Sequence, residues 1–270
     1  MRANRSGIRS WAAALVGAAL IATPAAAQDM LRYLDLKSEE FSKADLSRAE
    51  VEAALAAAGP TGVVDLTGRR LNGLDLSALD LRRSKLQAAR LNKAKLVGAN
   101  LDGVVLDQAW ALVADLSEAT LRGASLFATQ LQDARLDRAD LSGARVAADL
   151  TRASLIEARF DGANLAADMR NQSMGLMRGV LRSAKLDRAS FANANLARVA
   201  LEFASLRGAN LRGAKLTGAE LAGADLEGAD VTDADFENAD VTSARLRSLE
   251  GRARARNLQG LKTLERAILD

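Results

Sequence analysis

The sequence predicts an all-β solenoid built from four-sided coils, and three observations predict it. Leucine recurs at every fifth position over most of the chain, beginning at Leu66. Alanine stands two residues before most of these leucines. Glycine is frequent two residues after them, as at Gly208, Gly213, Gly218, Gly223 and Gly228. An α-helix advances roughly 100° per residue, so a five-residue step carries an apolar stripe about 140° round and it spirals away. A flat strand alternates faces, so an odd step throws successive leucines to opposite sides. The chain must therefore bend once per repeat.

Within a repeat, Ala and Leu lie two apart and face the same way in extended backbone. If each bend is near a right angle, four repeats close a coil of 20 residues, and coils stack about 4.8 Å apart. Counting Met169 as an irregular centre, there are 37 repeats, 29 of them centred on Leu, which makes about nine coils. Backbone hydrogen bonds then run between coils and satisfy the buried amides. A long apolar residue beside a tiny one, both inward, suits a narrow tube. Ala111 takes a centre where Leu belongs; the register slips by one at Leu150 and resumes at Leu176. Residues one coil apart should stack, and charges alternate accordingly: Asp75, Lys95, Asp115 and Arg135 in one column, and Glu118, Arg138, Glu157 and Arg178 in another.

The stretch "GANLRGAKLTGAELAGADLEGAD" resembles the A(D/N)LxG consensus of the pentapeptide repeat family, and the resemblance covers residues 65–247. It implies a right-handed quadrilateral β-helix; the handedness comes from the resemblance alone. For the quinolone-resistance members it also implies mimicry of DNA and binding to topoisomerases, which is the alternative function here.

The flanks read as short helical caps. In residues 28–64, Ser47 and Glu50 form a capping box, Val51, Ala54, Leu55 and Ala58 make an apolar face, and Gly59 and Pro60 end a helix over 48–58. The preceding "LDLKSEEFSKADL" is either one loose repeat or more helix. In residues 248–270, Leu258, Leu261, Leu264 and Ile268 have helical spacing. An uncapped end would instead favour an end-to-end homodimer.

Residues 1–27 read as a secretory signal peptide: Arg2, Arg5 and Arg9 without an acid, the short apolar run "WAAALVGAALIA", then "TPAAAQ" with cleavage after Ala27. The alternative is an uncleaved anchor. The expected location is thus periplasmic or secreted, with no stable membrane insertion after signal removal. The full chain has 37 Lys+Arg against 34 Asp+Glu. Losing three arginines leaves the mature chain formally neutral, so the pI of 9.4 does not argue for a nucleic-acid partner. The chain has no cysteine and no histidine. That removes thiol chemistry and the commonest general base and metal ligand, so neither catalysis nor a cofactor is expected.

Three candidate partner-binding features remain. The interruption "ADMRNQSMGLMRG", residues 167–179, holds Met169, Arg170, Asn171, Gln172, Met174, Met177 and Arg178. Its thioethers would suit Cu(I); the plainer reading is methionine filling a bulged turn, with the polar residues outside as a recognition loop. Next, Trp110, Leu112, Val113 and Phe127 surround the Ala111 defect. They form either an exposed apolar patch or a fold of Trp110 over the gap. Last, residues 181–218 carry seven bases and two acids, 219–241 eight acids and no base, and 242–270 seven bases and three acids. Such segregation either orients docking or is a solvated face. The expected function is a non-enzymatic exported rod that binds a protein partner or scaffolds an envelope assembly, without nucleic acid.

Overall fold

The computed structural model describes residues 35–167, 177–261 and 263–270. Two compact units divide the chain, Met1–Leu36 and Lys37–Asp270. Only Asp35 and Leu36 of the first are described, so the leader read over residues 1–27 lies outside the described residues. Every described helix and coil belongs to the second unit.

Helix α1 is Glu39–Ser42 and α2 is Arg48–Ala58. Ser47 caps α2: its Oγ accepts from the Glu50 N–H while Glu50 accepts from the Ser47 N–H at 2.7 Å. Val51 is buried against the first coil, and Arg48 donates to the carbonyls of Asp75 and Ser77 at 2.9 and 3.2 Å. Gly59, at φ 64°, ends the helix. Between the helices the chain is extended, and Ala44 bridges Leu71 in antiparallel sense. Of the described part of "LDLKSEEFSKADL", residues 35–46, α1 is helix, as one of the two readings had it, and the chain after it is extended because Ala44 pairs with the side of the first coil.

From β1 (Val64–Asp65) onward the chain coils. β1 pairs in parallel with β2 (Ser84–Lys85), Val64 with Ser84 and Asp65 with Lys85. Single parallel bridges repeat this 20-residue offset in four columns, as in Arg70↔Arg90, Asp75↔Lys95, Asp80↔Asn100 and Lys85↔Val105. Each side is so short that it gives one or two paired residues rather than a long strand. Between coils, Leu71 N donates to Arg90 O at 2.7 Å and Gly73 N to Asn92 O at 2.8 Å. At the corner, Leu74 N donates to Leu71 O at 3.3 Å. The second residue after each centre has positive φ at most corners, whether Gly208 (61°) or Val113 (58°). One positive φ, at the second central residue, is what a type II turn requires.

The Leu centres and the Ala positions are buried along the whole described coil. Full burial of each Leu contributes roughly 1.5–3 kcal/mol, so the lumen dominates stability. Phe160 and Phe191 stack inside it with centroids 4.9 Å apart.

Between Gln130 and Val180 the offset takes two values other than 20. It is 19 for Gln130↔Asp149 and Arg145↔Asn164, then 31 for Asp149↔Val180 and Asn164↔Asn195, and 20 again from Val180↔Ala200. One residue is missing near 147–148, and eleven extra residues are accommodated before Val180. The resumption at Leu176 falls outside the described residues; the first described centre after the insertion is Leu181. The charge columns follow this. Asp75, Lys95, Asp115 and Arg135 do stack. In the second column Arg138 pairs with Glu118 at 2.5 Å, but the partner of Glu157 is Arg188 at 2.9 Å, not Arg178, because the insertion moves the register by eleven.

At the C-terminal end, of Leu258, Leu261, Leu264 and Ile268 only Leu264 lies in a helical turn, the 3-10 turn Leu264–Arg266, and a second such turn, Arg252–Arg254, precedes all four. Leu258 and Leu261 join the core, while Arg256 bridges Asp235 and Ile268 bridges Arg245. Coil pairing therefore continues through this segment.

Candidate functional site

Around the Ala111 defect, the predicted apolar residues have separate environments. Leu112 is buried. Trp110 is half-buried, and its ring meets Phe41 edge-on, centroids 5.2 Å apart at 62°. Phe127 is half-buried under the Arg145 guanidinium, 4.8 Å from its centroid. Val113 is 54% exposed at its corner. A small apolar void does sit inside the lumen at Ala111, lined by Leu91, Leu131 and Thr129 among others, but Trp110 does not line it. Trp110 faces outward, to the N-terminal segment.

That segment rests on a ladder of carboxamides. Asn72 and Asn92 occupy the same column, one coil apart, and both are buried. Asn72 Oδ1 accepts from Asn92 N, and Asn92 Oδ1 from Leu112 N, each at 3.0 Å. Their Nδ2 groups donate outward, Asn72 to the carbonyls of Glu40 and Lys43 at 3.0 and 2.9 Å, and Asn92 to that of Phe41 at 3.5 Å. Arg90 stacks over the Phe41 ring at 5.2 Å and pairs with Glu40. Below it, Asp45 N donates to Arg70 O at 2.7 Å, while Asp45 accepts from the Arg70 backbone at 3.0 Å and from its guanidinium at 2.7 Å. The Arg70 hydrogen bonds hold the Asp45 carboxyl below its ordinary value.

At the insertion, Met169, Arg170, Asn171, Gln172 and Met174 lie outside the described residues. Met177 is exposed. Arg178 is committed to the coil: it grips Glu220 with both terminal nitrogens, at 2.7 and 2.8 Å, and donates to Arg198 O at 2.8 Å. Burial pushes the Glu220 carboxyl up, but the Arg178 hydrogen bonds and charge outweigh it and leave it lowered. Among the described residues no group of three His, Cys, Asp or Glu side chains is placed to hold a metal.

Charge blocks that are separate in sequence interleave in space. Arg207 pairs with Asp225 and Glu227 at 3.0 and 2.7 Å, and Arg212 with Asp230 at 3.0 Å. From the other side Arg245 reaches Asp225 at 3.4 Å and Arg256 reaches Asp235 at 3.7 Å. The acidic block at 219–241 is flanked by one basic block below and another above, because its length is about one coil.

The model of the family described as pentapeptide repeats matches in eight copies, over residues 64–96, 114–145, 146–166, 180–213 and 209–247. The chain belongs to the pentapeptide repeat family. Its members form right-handed quadrilateral β-helices, the shape to which four bridge columns at a 20-residue offset correspond. Among solved pentapeptide repeat structures, the chain is similar to full-length QnrB1, a plasmid-mediated fluoroquinolone resistance protein, at 19% identity and TM-score 0.44, covering 77% of this chain and 92% of that one. It is also similar to HetL, involved in heterocyst differentiation regulation in the cyanobacterium Nostoc sp., at 28% identity and TM-score 0.24, covering 74% and 96%. A protein of the Arabidopsis thaliana thylakoid lumen matches at 27% identity and TM-score 0.18, over 41% and 63%. No curated protein sequence matches.

Two surface features of this pentapeptide repeat chain escape its repeat pattern. Phe41, Arg90 and the Asn72–Asn92 ladder come together only because the N-terminal segment folds back along one side. The "N" at both ladder positions, 20 apart, is the one available sequence signal. Phe203 is 71% exposed at φ 60°, its ring lying where a side chain at Gly223 would otherwise be.

Proposed function

We propose that this pentapeptide repeat protein is a non-enzymatic, exported rod that binds another protein or scaffolds an assembly in the cell envelope. The observation that carries the reading is the filled lumen. Leucine and alanine occupy the interior of the described coils, so recognition must use the outer sides. The absence of His and Cys from the whole chain supports a role without catalysis. The composition of residues 1–27 supports export. A DNA-like docking surface needs an unbroken acidic stripe; pairing of Asp225, Asp230 and Asp235 with arginines favours a protein partner other than a DNA-binding one.

Crosslinking in intact cells, with the N-terminus of the recovered protein sequenced, tests this. The expected result is a chain beginning at Gln28 and joined to one stoichiometric protein partner. A full-length chain recovered from cytosol, with no partner captured, would contradict it.

A further inference from the structure

Resting on the protein-binding reading above, we propose that residues 39–45 occupy, in cis, a docking track for an acidic–aromatic segment of a partner protein. Arg70, Asn72, Arg90, Asn92 and Trp110 form the track. An intramolecular lid adds stability by burying apolar surface. This segment buries little: α1 has no buried residue, Phe41 and Ala44 are half-buried, and Glu39, Glu40, Ser42, Lys43 and Asp45 are exposed.

The surface beneath is polar and already satisfied by the coil. Each ladder asparagine uses Oδ1 to accept from the coil above, at 3.0 Å, and turns Nδ2 outward. When the segment leaves, those Nδ2–H groups meet water and no buried donor is orphaned, so the coil tolerates the loss. Segments held this way open below the global unfolding free energy.

The contacts also define what replaces it. Two asparagines read the main-chain carbonyls of Glu40, Phe41 and Lys43, the first two in α1, so the replacing segment enters as one helical turn and leaves as extended chain. The Ala44↔Leu71 bridge and the Asp45 N–H to Arg70 O bond, 2.7 Å, add strand-like pairing. Specificity comes from three side chains. One carboxylate sits at Arg90, an aromatic ring lies between Arg90 and Trp110, and a second carboxylate sits at Arg70 four residues after the ring. The partner segment therefore carries an acid followed by Phe or another aromatic, with Asp or Glu four residues on. The cis segment competes with it, and apparent affinity is reduced by the closed fraction.

The test uses the full chain and, as probe, a fluorescein-labelled peptide of residues 37–46. Phe41→Ala combined with Asp45→Ala should free the track and bind the probe saturably, at least tenfold more tightly than wild type. Adding Trp110→Ala should weaken that binding at least tenfold. No binding by the folded double variant, or binding indifferent to Trp110→Ala, overturns the proposal. A wild-type dimer that the probe dissolves identifies a second copy as occupant and overturns the partner assignment. Hydrogen exchange on wild type needs no variant: the Asp45 amide should exchange at least 100-fold faster than the Leu101 amide, and equal rates overturn the proposal. Failure of the broader reading looks different. A cellular partner captured equally by wild type and Trp110→Ala keeps the rod and removes the track; probe binding without any cellular partner keeps the track and removes the rod.

Discussion

Arg178 and Glu220 are 42 residues apart and share a two-pronged ion pair, 2.7 and 2.8 Å, across the coil that carries Ala200. Ala200 bridges both Val180 and Glu220 and is fully buried. The pair fastens the point where the chain re-enters the coil after its eleven-residue insertion. Arg178→Ala should destabilise by about 1–2 kcal/mol, the lower part of the range for charged hydrogen bonds because Glu220 is partly exposed. Urea unfolding measures this, and an unchanged midpoint would mean the insertion is held elsewhere.

The lumen should respond in opposite directions to two substitutions. Leu101→Ala, at a fully buried centre, should cost about 2–5 kcal/mol. Ala111→Leu restores the residue used at most centres and fills the void beside Leu91 and Leu131; a gain of about 1 kcal/mol is expected. A loss on denaturant unfolding would show that the neighbours have closed round Ala111.

Val113 is β-branched, exposed and at φ 58°, where L-residues are strained and glycine is not. Val113→Gly should raise stability by about 1 kcal/mol. Gly208→Val, at φ 61°, should lower it by at least as much. Paired thermal melts decide; a lower melting temperature for Val113→Gly together with a higher one for Gly208→Val would rule out corner strain as the controlling factor.

Acid should weaken the coil. For Asp102, Asp137, Asp225 and Asp230, burial pushes the carboxyl up, but hydrogen bonds from nearby backbone, hydroxyl and arginine groups outweigh it and leave all four lowered. A depressed folded pKa means the native state binds fewer protons than the unfolded one. The contribution is complete above the ordinary Asp value of about 3.9 and is lost as pH falls through the folded values. The urea midpoint should therefore be flat from pH 7 to 5 and drop by pH 3. A midpoint that rises on acidification would contradict the sign.

Much of the coil was legible because its physics is local. The five-residue step at Leu71, Leu76 and Leu81 excludes both regular elements, and glycine at 208 and 213 marks the corner. The capping box at Ser47 and Glu50 was equally readable, since it spans three residues. What could not be read depends on distant partners. Nothing near Trp110 says that Phe41 lies against it, and the charge blocks at 181–218 and 219–241 look separate until one coil is laid on the next. The Arg178 assignment failed because a pattern of fives cannot say how many residues an insertion removes from the stack.

The four-sided coil resets its register by eleven residues at the insertion. The chain has no cysteine, so paired cysteines report on it directly, needing Cα atoms within roughly 7 Å. Oxidised Asn164→Cys with Asn195→Cys should crosslink as readily as Asp75→Cys with Lys95→Cys, while Asn164→Cys with Lys185→Cys should not, since Lys185 pairs with Ser154. Crosslinking of 164 to 185 but not to 195 would contradict the account.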